Sequence, residues 1–144
     1  MSFGNHRAVS YVMSVKGMAL IFQHGLPDIE VRLSTVWPPF SHELEADDFV
    51  EPIGAAGYRR AFFRRKEWEI TPARNEGALR VEGPLIEFNF EGPMDDPRAE
   101  VVAQVFVDAQ SGQLLWADRL MQPIRWTTPG TIEVLPALVW PGAE

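Results

Sequence analysis

Hydrophobic and polar residues alternate along much of this chain in short runs. In the run IEVRLSTV, Ile29, Val31 and Leu33 share one face of an extended strand, and polar residues stand between them. The run PLIEFNFEG repeats this pattern with apolar residues at 86, 88 and 90. A period of two is typical of strands that bury one face, so these runs predict antiparallel strands.

Three later runs predict further strands. AEVVAQVFVDA carries one apolar face at positions 101, 103, 105 and 107. The run QLLWADRL follows a turn containing Gly112, where glycine suits a positive φ, and this predicts a hairpin. TIEVLPALVW predicts the last strand. Because Pro136 has no N–H to donate, that strand is expected to lie at an edge or to bulge there.

Turn signals recur at short intervals between these runs, as in sandwiches and barrels built from many short strands. The sequence therefore predicts an all-β fold, an antiparallel β-sandwich over residues 26–144. One short helix is expected after Ser41, in the run HELEADDFVE, where a serine cap would precede several acidic residues.

Residues 1–25 mix alternating and continuous apolar character. Two interpretations stay open for this segment. It could be a first strand of the sandwich, or an extended N-terminal arm that is ordered against a partner. In the second case its apolar side chains would contact that partner, and these are Phe3, Val9, Tyr11, Val12, Met13, Leu20, Ile21 and Phe22.

Composition limits the classes of function. A chain of 144 residues that is 46% hydrophobic can bury one core, and it has no cysteine for disulfides, thiolate metal sites or a cysteine nucleophile. No apolar run approaches the length of a membrane span, and no signal peptide is predicted, so we expect a cytoplasmic origin and no membrane partner. Abundant proline would suit a thermostable protein.

The sequence carries no catalytic signature. The three histidines lack the spacing of a helical metal pair, and phosphate-binding and nucleophile-elbow motifs are missing. We therefore expect no enzyme, no catalytic residue, no metal, no cofactor and no small-molecule substrate. Tryptophans are more often core or interface anchors than sugar platforms, but a carbohydrate-binding β-sandwich using Trp37, Trp126 or Trp140 stays an alternative.

The run YRRAFFRRKEWEI is the most basic stretch of an acidic chain with a net charge of −7. That balance argues against nucleic acid as a partner. Both faces of the run mix apolar and basic residues, so the run is expected to bulge or to leave its sheet near residue 64. If it stays extended, Phe62 and Phe63 point to opposite sides.

Five acidic residues and no basic ones lie just before this run, between residues 41 and 57, while five basic residues lie between 58 and 66. The two blocks could pair within one subunit or between neighbouring subunits. We expect them at an oligomer or capsid interface that includes Glu45, Asp47, Asp48, Arg59, Arg60, Phe62, Phe63, Arg64 and Arg65.

Several segments also occur in a recognisable order. They are an acidic turn Asp47-Asp48-Phe49 with Gly57-Tyr58, the strand at 83–88, the strand at 114–119, Pro123, and the closing segment 128–136. In this order and in turn chemistry, residues 28–140 resemble the head decoration (cement) proteins of tailed phages and related head or tail accessory proteins.

The resemblance implies a β-sandwich or jelly-roll-like (β-tulip) domain that forms a homotrimer on the outer surface of the capsid. Such a protein would clamp neighbouring major capsid proteins, with an N-terminal arm clasping the shell. It would be a virion protein made in the host cytoplasm. A phage tail or head-to-tail accessory protein of the same fold is the alternative that the resemblance leaves open.

Overall fold

A computed structural model describes residues 2–6, 8–39, 41, 43–72, 79–92, 100–125 and 130–140. Over these residues the chain is mostly antiparallel β-sheet with one α-helix, α1 (Val15–His24). The strands in chain order are β1 (Ser2–His6), β2 (Ala8–Met13), β3 (Ile29–Ser34), β4 (Ala61–Phe63), β5 (Glu69–Pro72), β6 (Leu79–Glu82), β7 (Ile86–Phe90), β8 (Val101–Asp108), β9 (Leu114–Ile124), β10 (Gly130–Val134) and β11 (Ala137–Trp140). The predicted all-β class is therefore confirmed.

These strands form three sheets. The largest has the order β2-β9-β8-β3-β4, and two three-stranded sheets have the orders β1-β10-β7 and β11-β6-β5. The neighbours pair antiparallel, except that β1 runs parallel to β10. The hairpin predicted between β8 and β9 is present, and Gly112 takes a φ of 78° in its turn. In the large sheet, β4 and β2 are the two edge strands.

Two predicted strands match the structure closely. The inward residues of β3 and β7 are buried, and Glu87 and Asn89 of β7 are exposed. Ser34 of β3 departs from the alternation because it is buried. Its hydroxyl donates to the Val36 carbonyl and accepts from the Val50 amide, so the buried polar atom keeps its hydrogen bonds.

Strand β8 is buried on both faces, so the prediction of one apolar face was incomplete. Phe106 belongs to a main core with residues of β3, β7, β9, β10 and β11, and its neighbours Val105 and Val107 belong to a second core. Successive strand residues point to opposite faces, so the two cores lie on opposite sides of the large sheet. Leu44 and Phe49 close the second core from outside.

The last predicted strand is two strands, and the prediction of a single strand was wrong. The chain pairs with β7 through β10 and with β6 through β11. Between them Leu135 and Pro136 belong to neither strand, and the Pro136 carbonyl accepts a hydrogen bond from Gly83 N–H at 2.8 Å. The proline thus marks a change of sheet.

Helix position was also predicted wrongly. The run after Ser41 forms a single 3-10 turn, Ala46–Asp48, while the α-helix lies at Val15–His24. Ser14 caps this helix, because its Oγ accepts from Gly17 N–H at 2.8 Å, and Gly25 ends it with a φ of 78°. The expectation of an extended chain through residue 25 is therefore wrong for residues 15–24, where capping residues at both ends favour a helix.

Candidate interaction surface at the basic edge strand

Strand β4 ends the large sheet and carries the basic run. It pairs with β3 along one side, with Val31 opposite Ala61 and Ile29 opposite Phe63. No other described strand pairs with its outer side. Phe62 is 62% exposed and Phe63 is 3% exposed, so the two rings point to opposite sides as predicted.

Phe63 fixes the direction in which this edge faces. Its ring packs edge-on against Trp68, with centroids 4.8 Å apart, and Trp68 in turn lies 5.8 Å from Trp116. Gly83 leaves room for the ring, because a Cβ at that position would lie 2.9 Å from Phe63 Cζ. Since Phe63 is locked into the main core, the alternation of the strand holds Phe62 outside it.

The chain leaves the sheet directly after β4, as the mixed faces of the run predicted. A 3-10 turn, Arg65–Glu67, follows the strand. Its first N–H groups are satisfied by carboxylates: Arg64 N–H donates to Glu67 Oε2 at 2.6 Å, and Arg65 N–H donates to Asp28 Oδ1 at 2.7 Å. The turn therefore holds consecutive basic side chains beside the edge.

Arg65 also has a structural role at the end of α1. Its guanidinium lies against Gly25, where Nη2 would be 3.2 Å from a Cβ at that position. A cation at a helix C-terminus interacts favourably with the helix dipole. Arg65 thus joins the basic turn to the helix, and it is a poor choice for testing surface contacts alone.

A cleft of about 720 Å³ lies beside Phe62. The end of α1, the loop between α1 and β3, Arg65 and the β8–β9 turn form its other walls. We use the name basic edge for five exposed residues of the basic run, and they are Arg59, Phe62, Arg64, Arg65 and Lys66. None of its four cations forms an ion pair with another residue in the described part of the chain.

Arg60 differs from these cations because it is paired within the subunit. Its Nη2 lies 2.8 Å from Glu51 Oε2, its Nε lies 3.0 Å from Glu51 Oε1, and its Nη1 lies 3.5 Å from Glu30 Oε1. Tyr58 Oη also donates to Glu51, at 2.8 Å. Partial burial pushes the pKa of Glu51 upward, but the bonds from Arg60 and Tyr58 outweigh it and hold the pKa below its usual value. Among described residues, one pair thus links the acidic and basic blocks.

The predicted acidic contacts lie on another part of the surface. Glu45 and Asp47 are exposed, while Asp48 Oδ2 accepts from Glu45 N–H at 2.8 Å and stabilises the 3-10 turn. Between and around them, Leu44, Ala46 and Phe49 are buried in the second core. These acids are therefore presented on a well-anchored segment beside the β8–β9 turn, which lines a cavity together with Glu45 and Asp47.

The proposed arm residues occupy strands and a helix. For Phe3, Val9, Tyr11 and Val12 the structure describes backbone positions in β1 and β2, which pair with β10 and β9. The other predicted arm residues lie in β2 and α1. Met13, Leu20 and Ile21 are partly buried against the main core, whereas Phe22 is exposed.

Sequence reasoning missed a buried polar pair in the large sheet. Asp118 and Gln104 are opposite each other on β9 and β8, both are 1% exposed, and Gln104 Nε2 donates to Asp118 Oδ2 at 3.0 Å. Burial raises the pKa of Asp118 well above its usual value, and the bond from Gln104 opposes this only in part. The sequence contains a signal for the burial of Asp118, because alternation places it between Trp116 and Leu120 on one apolar face.

Three tryptophan side chains bear on the carbohydrate alternative. Trp116 is fully buried, Trp68 is partly buried against the main core, and Trp37 packs edge-on against Phe49 at 6.2 Å. None of them presents a large exposed ring. Trp126 and the side chain of Trp140 lie outside the described part of the chain.

Metal sites and membrane spans can be assessed for the described residues. There, no three His, Cys, Asp or Glu side chains are placed to hold a metal ion together. No helix in that part of the chain has the length and apolar character needed to cross a bilayer.

No protein-family model, curated protein or solved structure matches this chain.

Proposed function

We propose that this protein is a virion structural protein, a trimeric capsid decoration protein whose basic edge forms an assembly contact. The observation that carries the proposal is the edge strand β4, whose outer side pairs with no other described strand. It exposes Phe62 among cations that form no ion pair within the described part of the chain. Its fold would be a β-sandwich of jelly-roll or β-tulip type. The main core supports this arrangement, because it contains residues from the large sheet and from both smaller sheets.

An edge of this kind is suited to binding another protein chain. The outer N–H and C=O groups of an edge strand can hydrogen-bond an extended partner segment. Aromatic and arginine side chains are enriched at the centres of protein interfaces, where they supply apolar area and directed hydrogen bonds. Attachment through several copies would multiply contacts that are individually weak.

The N-terminal segment has a different place in this proposal. Met13, Leu20 and Ile21 are packed against the main core, so they are committed to the fold of their own subunit. We therefore assign the assembly contact to the basic edge. A clasping arm of the kind that the resemblance implies would have to use other residues.

Purified protein mixed with undecorated, expanded phage shells tests the function. We expect stoichiometric binding and a higher melting temperature of the shell. Phe62→Ala should weaken binding, while Met121→Ala, which removes an equally exposed side chain from β9, should leave it unchanged. Absence of shell binding by the wild-type protein would refute capsid decoration, and labelled antibodies that locate the protein on the tail would favour the accessory role instead.

A further inference from the structure

The charge of the basic edge disfavours contact with an identical edge. If two copies met through β4 in a symmetric pair, Arg59, Arg64 and Lys66 of one copy would approach the same residues of the other. Like charges opposite each other on paired strands are destabilising. The contact is therefore expected to be heterologous, which means that the basic edge meets a different surface.

This chain itself carries a complementary surface. Residues 41–57 contain five acidic residues and no basic ones. Glu43, Glu45 and Asp47 are exposed and form no ion pair with another described residue. The segment is held in place by Leu44 and Phe49 in the second core, so its charges are presented in a fixed arrangement. We call residues 43–48 the acidic segment.

The two surfaces face different sides of the same hairpin turn. The cleft of the basic edge is lined by Asp108, Ala109 and Gln110, and the cavity at the acidic segment is lined by residues 111–114. The described ion pairs include none between the acidic segment and the basic edge of one subunit. A contact between them therefore has to form between copies.

We propose that the basic edge of one copy binds the acidic segment of the next copy, so that the subunits join head to tail. Contacts of this type close into a ring or continue as a filament, and a closed ring of three would give the trimer of the proposed function. The inference deepens that function by naming the partner of the same surface. Phe62 would supply apolar burial at the centre, and the surrounding ion pairs would fix the orientation.

Charge reversal at each surface tests the contact in the full chain. We expect wild-type protein to sediment as one discrete oligomer of 16.3 kDa chains at low salt. Because exposed ion pairs are screened by salt, its dissociation constant should rise roughly tenfold or more in high salt. Arg64→Glu with Lys66→Glu should reduce the protein to single chains, and Glu43→Lys with Asp47→Lys should do the same.

The decisive variant carries all four reversals. It places acidic residues at the edge and basic residues in the segment, so it should recover the oligomer that each double variant loses. The control is Arg119→Glu with Arg125→Glu, which makes the same change in net charge as Arg64→Glu with Lys66→Glu but at other exposed positions, and it should keep the oligomeric mass of the wild type. Circular dichroism and thermal melting verify that each variant is folded.

Two results would overturn the inference. One is a wild-type protein that sediments as a single chain, in which case the cations protect the edge against pairing or meet an acidic surface of the shell. The other is a variant with all four charge reversals that stays dissociated like the two double variants. If the protein binds shells but is a single chain in solution, the proposed function is retained and this contact is rejected. If the protein forms the oligomer but does not bind shells, this contact is retained and the proposed function is rejected.

Discussion

The centre of the large sheet and its β4 edge place charged groups beside aromatic rings in opposite ways. At the centre, Trp116 and Phe106 stack with centroids 4.6 Å apart, and the neighbouring Asp118 is sealed from water. At the edge, Phe62 is exposed and the cations beside it reach solvent. The centre therefore penalises charge, in line with the raised pKa of Asp118, while the edge leaves its charges in solvent.

Position in the sheet accounts for this difference. Strands β8 and β9 have paired neighbours on both sides and a core on each face. Strand β4 has a neighbour on one side, and Phe63 is its one fully buried side chain. Similar residue types are thus enclosed in the cores at the centre and exposed to solvent at the edge.

Replacing one aromatic ring in each region should give the largest difference in stability between the two regions. We expect Trp116→Ala to lower the free energy of unfolding by about 3–5 kcal/mol, because it leaves a large cavity in the main core. Phe62→Ala should change it by less than about 0.5 kcal/mol, as for other surface positions. Urea unfolding followed by circular dichroism measures both values. Equal losses would show that Phe62 stabilises the fold and is not reserved for a partner.

A methyl group added beneath α1 tests how tightly the helix packs on the central strands. A Cβ at Gly17 would lie 2.3 Å from the Leu114 carbonyl oxygen and 2.8 Å from Leu115 Cα. Because neither backbone atom can move freely, Gly17→Ala should cost about 1–3 kcal/mol, even though alanine favours helix.

Gly92→Ala is the matched control for this substitution. Among the residues that the structure describes, the nearest to its Cβ would be Ala56 Cβ at 3.8 Å, so stability should stay within about 0.5 kcal/mol of wild type. Thermal melting of the two variants compares them directly. A stable Gly17→Ala protein would mean that the helix can shift on β9, and that the centre is less rigid than its packing indicates.

The pH dependence of stability tests whether the centre of the sheet penalises the charge of Asp118. The folded pKa of Asp118 is raised above its usual value of 3.8, so the folded protein holds a proton that the unfolded chain releases. Stability should therefore fall as pH rises from about 4 through the folded pKa, and then level off. Asp118→Asn cannot titrate, so it should lose this decline and gain stability relative to wild type at pH 8.

Protonation also has a structural rationale. Gln104 Oε1 and Asp118 Oδ1 have no hydrogen-bond partner among the described residues. A protonated Asp118 can donate a hydrogen bond, which the ionised carboxylate cannot. Urea unfolding of wild type and Asp118→Asn between pH 4 and pH 8 measures the effect. Parallel pH profiles for the two proteins would exclude Asp118 as the titrating group.

Alternation predicted the strands that bury one face but gave incomplete answers elsewhere. The sequence predicted strands β3 and β7 together with their inward residues, because one apolar face and one polar face produce a clear period of two. In β8 the signal is lost because both faces are buried: Phe106 lies in the main core, while Val105 and Val107 lie in the second core, and residues distant in sequence complete each core. Alternation did not reveal helix α1, because residues 1–25 mix alternating and continuous apolar character, although Ser14 and Gly25 mark the two ends of the helix.

The candidate surface could be located in the sequence but not described from it. The basic run, the opposite directions of Phe62 and Phe63, and the departure from the sheet near residue 64 all followed from the order of residues. Arg60 is paired within the subunit, whereas Arg64 has no ion-pair partner among the described residues, and this difference depends on Glu51, Glu30 and the 3-10 turn. Those partners come from segments whose approach no local pattern specifies.

By itself, the sequence determined the all-β class, the hairpin at Gly112 and the sides to which the β4 rings point. Each depends on neighbours along the chain, through strand alternation or the backbone freedom of glycine. The tertiary structure alone decided that Asp118 is buried opposite Gln104, that β10 and β11 join different sheets, and that β4 is an edge. These properties depend on which distant segments pair and cover one another, and burial sets the energetic cost of every charge they enclose.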